Sequence, residues 1–200
     1  NTVFDPSLAS QYDRVVIATG IIPRLPNIEG INHSKVYNYI DVLKGNVKVG
    51  KSVALIGAGG IGFDVAEFLS HQGELTSKET KLFMEEWGVD MNFIARGGIE
   101  GIKSNISKSK RQIFLFQRKS GKVGANLGKT TGWIHRFSLR NKDVKMINGV
   151  SYSHIDEKGL HYRKNNQDKV LDVENIVICA GQLSNNSLLE KTKEINPNTE

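Results

Sequence analysis

Cysteine is almost missing from this sequence: Cys179 is the sole example in 200 residues. One thiol excludes an internal disulfide framework and any all-cysteine metal site within the chain. A reducing, cytoplasmic setting is the expectation that follows. Long hydrophobic runs are lacking too. Stretches such as Val15 to Ala18 and Ile113 to Phe116 fall far short of the roughly 20 apolar residues of a membrane helix, so neither a spanning helix nor a membrane partner is expected. Residues 1–10 hold no initiator Met, basic region or apolar core of a signal peptide, and are expected to be a cut end. Disorder is excluded by the ordinary balance of 38% hydrophobic and 24% charged residues.

Acidic residues are absent from one long stretch. Between Gly101 and Lys142 there are eleven of the chain's 27 Lys and Arg and none of its 21 Asp and Glu. The net charge of +6 is therefore localised, and this block is expected either to present positive potential to an anion or to form a solvated face.

Proline is scarce, four residues in all, and two of them interrupt Ile22-Pro23-Arg24-Leu25-Pro26-Asn27, which can be neither helix nor central strand. Before it, Arg14 to Ala18 reads as a strand. A second strand, Ser52 to Ile56, runs into Gly57-Ala58-Gly59-Gly60-Ile61-Gly62 and then into a helix ending near Gly73, in which Phe63, Val65, Ala66, Phe68 and Leu69 recur at helical spacing. In the stretch 72–110, Ser77 or Thr80 is expected to cap a helix through Leu82 to Trp87, and Val89 to Ile94 alternates like a short strand. Ile113 to Phe116 and Val144 to Ile147 read as strands around a helix that starts at Thr130 or Thr131, with Trp133, Ile134 and Phe137 on its apolar side. Three short extended runs, 150–155, 160–163 and 169–173, are separated by turn-forming residues and predict a β-meander. These elements predict a doubly wound, Rossmann-like α/β domain whose Ser52–Ile56 strand is central and parallel to Ile113–Phe116 and Ile176–Cys179. An internal echo supports it: Asp13-Arg14-Val15-Val16-Ile17-Ala18-Thr19-Gly20 matches Glu174-Asn175-Ile176-Val177-Ile178-Cys179-Ala180-Gly181 in pattern. Small residues at a strand's carboxyl end let backbone approach a ligand closely.

The strongest chemical signal is Gly57, Gly59 and Gly62, the Gly-x-Gly-x-x-Gly spacing between a strand and a helix. The first glycine permits the tight turn, the second removes a side chain that would block a pyrophosphate, and the third lets helix and strand pack closely. Helix-terminal amides then hold the anion. An acid about 20 residues further on selects NAD and a base selects NADP. That count lands in the helix near Leu82 to Glu86, so an insertion is inferred before the second strand. The choice for that strand is Ile113 to Phe116, whose Gln117-Arg118-Lys119 has no acid and offers two cations to a 2′-phosphate; the rival is Val89 to Ile94 with Arg96. The run Leu127-Gly128-Lys129-Thr130 lacks the glycine a phosphate loop needs at position 123, which is Val123. The five histidines, His33, His71, His135, His154 and His161, show no pair at metal-ligand spacing with a suitable third ligand. Cys179, in an apolar strand, reads as a small core residue, and Trp133 as a core residue of its helix.

The segments Val16 to Gly20 with Pro23-Arg24, Ile56 to Asp64, Gln117-Arg118-Lys119, Leu127 to His135 and Val177 to Gln182 together resemble the C-terminal half of the bacterial NADPH-dependent 2,4-dienoyl-CoA reductases. These lie within the wider glutathione-reductase-like two-dinucleotide fold. The resemblance implies an NADPH-binding domain at 31–183 inserted into a split FAD domain, with 1–30 closing the first FAD segment and 184–200 returning to it. It implies that Ala18, Thr19 and Gly20 lie near FAD, that Gly57, Ala58, Gly59, Gly60, Ile61, Gly62, Arg118, Lys119, Ala180 and Gly181 contact cofactor, and that no side chain here is catalytic. The FAD glycine motif is expected before Asn1 and a Gly-Asp element after Glu200. FMN, an iron-sulfur cluster and the acyl-CoA site are expected N-terminal to this region. The alternatives are a module of another flavin-barrel fusion, such as a trimethylamine dehydrogenase-like or enoate reductase protein, a non-enzymatic dinucleotide sensor on the same fold and, ranked last, nucleic-acid binding by the basic block.

Overall fold

The computed structural model describes residues 3–71, 73 and 75–195; the outermost parts of the two expected flanking segments, 1–2 and 196–200, lie outside the described residues. In chain order its elements are β1 (Ile21–Pro23), β2 (Val36–Asn38), α1 (Tyr39–Lys44), β3 (Ser52–Ile56), α2 (Gly60–Ser70), α3 (Thr80–Trp87), β4 (Gln112–Phe116), α4 (Gly132–Asn141), β5 (Lys145–Ile147), β6 (Val150–Asp156), β7 (Gly159–Lys164), β8 (Gln167–Leu171), β9 (Asn175–Ile178), β10 (Gln182–Ser184) and α5 (Ser187–Ile195). The chain forms two compact units, one of Leu25–Ala180 and one of the segments through Arg24 and from Gly181.

In the larger unit a five-stranded sheet has the order β2-β9-β3-β4-β5, and every neighbouring pair is parallel. Strand β3 is central, with Ile56 beside Phe116 on one side and Ile178 on the other, as the apolar runs predict. Buried on both faces, these strands use their period of two to feed two cores. Val53, Leu55, Ile113, Leu115, Val177 and Cys179 face a core completed by Phe63, Val65, Ala66 and Leu69 of α2 and Leu139 of α4. Ala54, Ile56, Phe116, Ile176 and Ile178 face a second core with Val150, Ile155 and Leu160. The second cover is the antiparallel sheet β6-β7-β8, so a meander takes the place of helices on that face. Phe116 meets Tyr152 and Tyr162 edge-on, at 6.3 and 5.0 Å between ring centres.

Several local expectations are corrected. Arg14 to Ala18 is not a strand, and Val16 is 92% exposed; its β-branched residues find no ladder partner among the described residues, and β1 forms just after it. Val89 to Ile94 is a turn instead of a strand, because the Asp90 carboxylate accepts from the amides of Asn92, Ile94 and Ala95 at 2.8, 2.7 and 2.6 Å. Phe93 there is left-handed, with φ of 58°. Trp133 is 56% exposed; the face of α4 that is buried carries Gly132, Ser138 and Leu139. The helix over 80–87 is present, but its cap is Glu79, whose side chain accepts from the Lys81 amide, and not Ser77 or Thr80. It rests on α4 through Trp87, stacked on Phe137 at 5.6 Å. The third meander strand runs 167–171, because Asn165 and Asn166 both take positive φ and close a two-residue turn.

In the smaller unit, β1 and β10 pair antiparallel, with Ile22 beside Leu183. Helix α5 packs on the short 3-10 segment Pro6–Gln11, where Ala9 and Thr192 are buried.

Candidate functional site

The carboxyl edge of the parallel sheet is where chain order reverses: β3 leads outward to β4 and β5 on one side, and β9 and β2 lie on the other. Open α/β sheets bind ligands in the crevice at such a point. At this edge the glycine-rich turn after β3 lies directly against the end of β9. The Gly57 amide donates to the Phe116 carbonyl at 3.1 Å and the Cys179 amide to the Ile56 carbonyl at 2.8 Å, so the turn is tied to both neighbouring strands. Gly57 has φ of 113°, and a Cβ on it would lie 2.4 Å from the Cys179 carbonyl oxygen; no side chain fits. A Cβ on Gly62 would lie 1.8 Å from the Gly57 carbonyl oxygen, so the first turn of α2 sits directly on the loop.

Gly59 and Gly60 differ from these two. A Cβ on either would meet nothing within 4 Å, and both are exposed. Gly59 is the N-cap of α2, has ordinary extended backbone with φ of −85°, and places no side chain over the helix start. The first intrahelical bond comes from the Phe63 amide to the Gly59 carbonyl at 3.1 Å, which leaves the preceding amides at the positive end of an 11-residue helix. The protein's own packing therefore requires Gly57 and Gly62 but not Gly59. An open glycine over uncapped amides fits close approach by a phosphate-bearing anion. Ala58 and Ile61 pack against the core beneath the loop, and Ala180, next along the chain from Cys179, packs against the meander-side core.

Arg118 and Lys119 follow the end of β4, whose Phe116 pairs with Ile56, so they stand at the same edge as the glycine turn. Both are exposed, and neither forms an ion pair among the described residues. Their loop is shaped by Gln117: its side chain donates to the Lys119 carbonyl at 3.0 Å and accepts from the Gly124 amide at 3.2 Å. The sequence reading missed Gln117 as an organiser, since its signal is only its place between the strand and the two cations. Several other bases of the block are committed internally. Arg111 donates to the Gly50 and Leu69 carbonyls at 3.1 and 3.0 Å, and Arg136 to the Gly124 carbonyl at 2.8 Å. Lys108 pairs with Asp143 at 2.9 Å, and the buried Lys142 with Glu67 at 3.5 Å.

The remaining candidates fall elsewhere. Ala18, Thr19, Gly20 and Gly181 belong to the smaller unit. There the Thr19 hydroxyl donates to the Asn185 carbonyl at 2.6 Å and the Asn185 amide to Gly20 at 3.0 Å. Gly181 has φ of 103° and accepts from the Arg24 amide at 3.0 Å. Cys179 is buried in the sheet, and burial pushes its thiol up to about 12, which suits packing and not nucleophilic chemistry. Val123, where a phosphate loop would need glycine, is a core residue. Two histidines set aside by their sequence spacing, His154 and His161, meet at one carboxylate, Asp156. They come together across a hairpin, a proximity that linear spacing does not show.

The sequence profile of the pyridine nucleotide-disulphide oxidoreductases matches residues 4–199. A metal reductase of Desulforamulus reducens is 26% identical over 183 residues, covering 90% of this chain and 26% of its own length. A cinnamate reductase of Clostridium sporogenes is 44% identical over 62 residues, 31% of this chain and 9% of that protein. Among solved structures, a 2-naphthoyl-CoA reductase superposes with a TM-score of 0.66 at 21% identity, over 95% of this chain and 24% of its own. That likeness is one of fold. The chain thus spans about a quarter or less of the length of these proteins. With the profile match running almost end to end, the chain belongs to the pyridine nucleotide-disulphide oxidoreductase family.

Proposed function

We propose that this chain is the NADPH-binding module of a flavin-dependent oxidoreductase that reduces 2,4-dienoyl-CoA thioesters. The observation that carries this reading is the contrast among the three glycines: two are demanded by packing and the third, Gly59, is open above the uncapped start of α2. Bound NADPH would supply a hydride to FAD. The protein's part is to hold and orient the dinucleotide, so no proton-transferring side chain is required. In this reading the amides of Gly59, Gly60 and Ile61 receive the pyrophosphate, Gly57, Ala58 and Gly62 shape the loop, and Ala180 lines the crevice beside Gly57. Arg118 and Lys119 hold the 2′-phosphate. Ala18, Thr19, Gly20 and Gly181 serve the FAD side. FMN, an iron-sulfur cluster and the acyl-CoA site would belong to residues other than these 200.

The cinnamate reductase match supports a conjugated double bond as the final acceptor. The metal reductase match across 90% of the chain favours a second reading, the same module delivering electrons to a different acceptor. Anaerobic mixing of the complete protein with NADPH tests the proposal. The protein is expected to carry flavin, to lose its oxidised flavin absorbance, and to turn over a 2,4-dienoyl-CoA faster than cinnamate or ferric iron. A protein without flavin, or flavin that NADPH leaves oxidised, overturns the module assignment. Flavin bleaching without dienoyl-CoA turnover overturns the substrate and promotes the second reading.

A further inference from the structure

On the outer face of the meander, two imidazoles and a carboxylate converge. His154 and Asp156 belong to β6 and His161 to β7, and one ligand atom from each lies within 4.8 Å of the others. A β-bulge brings them together. The ladder pairs Tyr152 with Tyr162 and Ile155 with Leu160, so both Ser153 and His154 stand opposite His161 alone. Tyr152 and Ile155 both pack toward the meander-side core, although they are three residues apart. A regular strand would send them to opposite faces; the extra residue restores the inward face for Ile155 and turns His154 and Asp156 out beside His161.

The three groups are half-buried and aimed at one another. Nε2 of His161 is 2.9 Å from Oδ1 of Asp156, and Nε2 of His154 is 3.8 Å from Oδ2. The two rings stack at 3.9 Å and 18°, which holds both imidazoles beside the same carboxylate. The other nitrogen of His154 meets the Ser153 hydroxyl at 3.1 Å, and Oδ1 of Asp156 accepts from the Lys158 amide at 2.9 Å. Such contacts orient ligands from behind. Arg163, on the same face of β7, is held by Asp168 through two bonds of 2.7 and 3.0 Å and so does not compete for Asp156.

We propose that His154, Asp156 and His161 form a binding site for a first-row divalent cation such as Zn²⁺, with water completing its shell. Imidazole nitrogens select these ions over Ca²⁺ and Mg²⁺, which take oxygen ligands. Tetrahedral ligand bonds of about 2.0–2.2 Å set ligand atoms about 3.3–3.6 Å apart, so His161 and Asp156 already lie close enough, and rotation of the more exposed His154 closes the remaining gap. Bound metal would link the two strands across the bulge. The site is independent of the nucleotide reading.

Zn²⁺ titration of the complete, chelator-treated protein, read by calorimetry and by thermal melting, tests this. The wild type is expected to bind one more Zn²⁺ than His154→Ala, and to gain a rise in Tm with Zn²⁺ that His154→Ala lacks. Asp156→Asn is expected to weaken that site by about tenfold or more, and His71→Ala, outside the cluster, to leave it unchanged. His154→Gln keeps a polar side chain on the exposed face and guards against a folding artefact. Equal Zn²⁺ stoichiometry and affinity in the wild type, His154→Ala and His154→Gln would overturn the proposal, as would a Zn²⁺ effect on Tm that survives both substitutions.

Discussion

Gly62 rests against the backbone of Gly57, so closely that a methyl group on it would sit 1.8 Å from the Gly57 carbonyl oxygen. Since neither backbone segment can yield without separating α2 from β3, Gly62→Ala is expected to destabilise the fold by about 3 kcal/mol or more, at the upper end of overpacking. Gly59→Ala, with open space around its Cβ and ordinary φ, is expected to change stability by less than about 1 kcal/mol. Urea denaturation of the two variants checks the contrast; similar losses in both would show that the loop is built differently.

Cys179 is expected to resist thiol reagents while the protein is folded. Burial pushes its thiol up to about 12, so at pH 8 almost no thiolate is present to react. The sign for stability follows: the contribution is whole below the ordinary thiol range and declines as pH rises toward 12, because the unfolded chain ionises first. Labelling with a disulfide reagent at pH 8, with and without urea, should show reaction at Cys179 only on unfolding. Rapid labelling of the native protein would refute its buried placement.

The ring stack of Trp87 on Phe137 joins the inserted helix α3 to α4. An aromatic pair contributes about 0.5–1.5 kcal/mol beyond its area. Phe137→Ala is expected to raise hydrogen exchange across residues 80–87 while leaving the amides of β3 and β9 protected. Unaltered exchange in α3 would show that the insertion is held by other contacts.

Asp90 organises the turn over 90–95. Hydrogen bonds from the amides of Ala95 and Asn92, with a further one from Ile94, outweigh desolvation and hold its carboxyl below the ordinary range. A depressed carboxyl gives a contribution that is complete above the unfolded pKa and is lost as pH falls through the folded one. Exchange protection at Ile94 and Ala95 should therefore hold at neutral pH, fade only as pH falls through and below the ordinary carboxylate range, and be missing at neutral pH in Asp90→Ala. Protection that persists in that variant would contradict the role.

Much of this architecture is legible in the sequence because a parallel strand buried on both faces leaves a continuous apolar run. Ser52–Ile56 and Ile113–Phe116 carry that signature, and the glycine spacing between β3 and α2 needs only local chemistry to be read. Arg14–Ala18 carries the same signature without forming a strand, since pairing depends on a neighbour that the run itself does not specify. Val89–Ile94 alternates as a strand would, yet three amides bound to Asp90 win the backbone for a turn. The approach of His154 to His161 depends on a bulge, and a one-residue change of register is invisible to a count of spacing.

Nucleotide titration of the complete protein and of its Gly59→Ala, Arg118→Ala and Lys119→Ala variants tests the central claim most directly. A charge-assisted hydrogen bond contributes about 1.5–3 kcal/mol, so loss of Arg118 should weaken NADPH binding by roughly tenfold to a hundredfold and leave NADH nearly unchanged. Lys119→Ala should do the same to a smaller degree, since a compact charge lacks the planar fork of Arg. Gly59→Ala should weaken both nucleotides alike, because both carry the pyrophosphate. Undiminished binding in Gly59→Ala, or equal losses of NADPH and NADH in Arg118→Ala, would contradict the account and move the phosphate contacts away from this edge of the sheet.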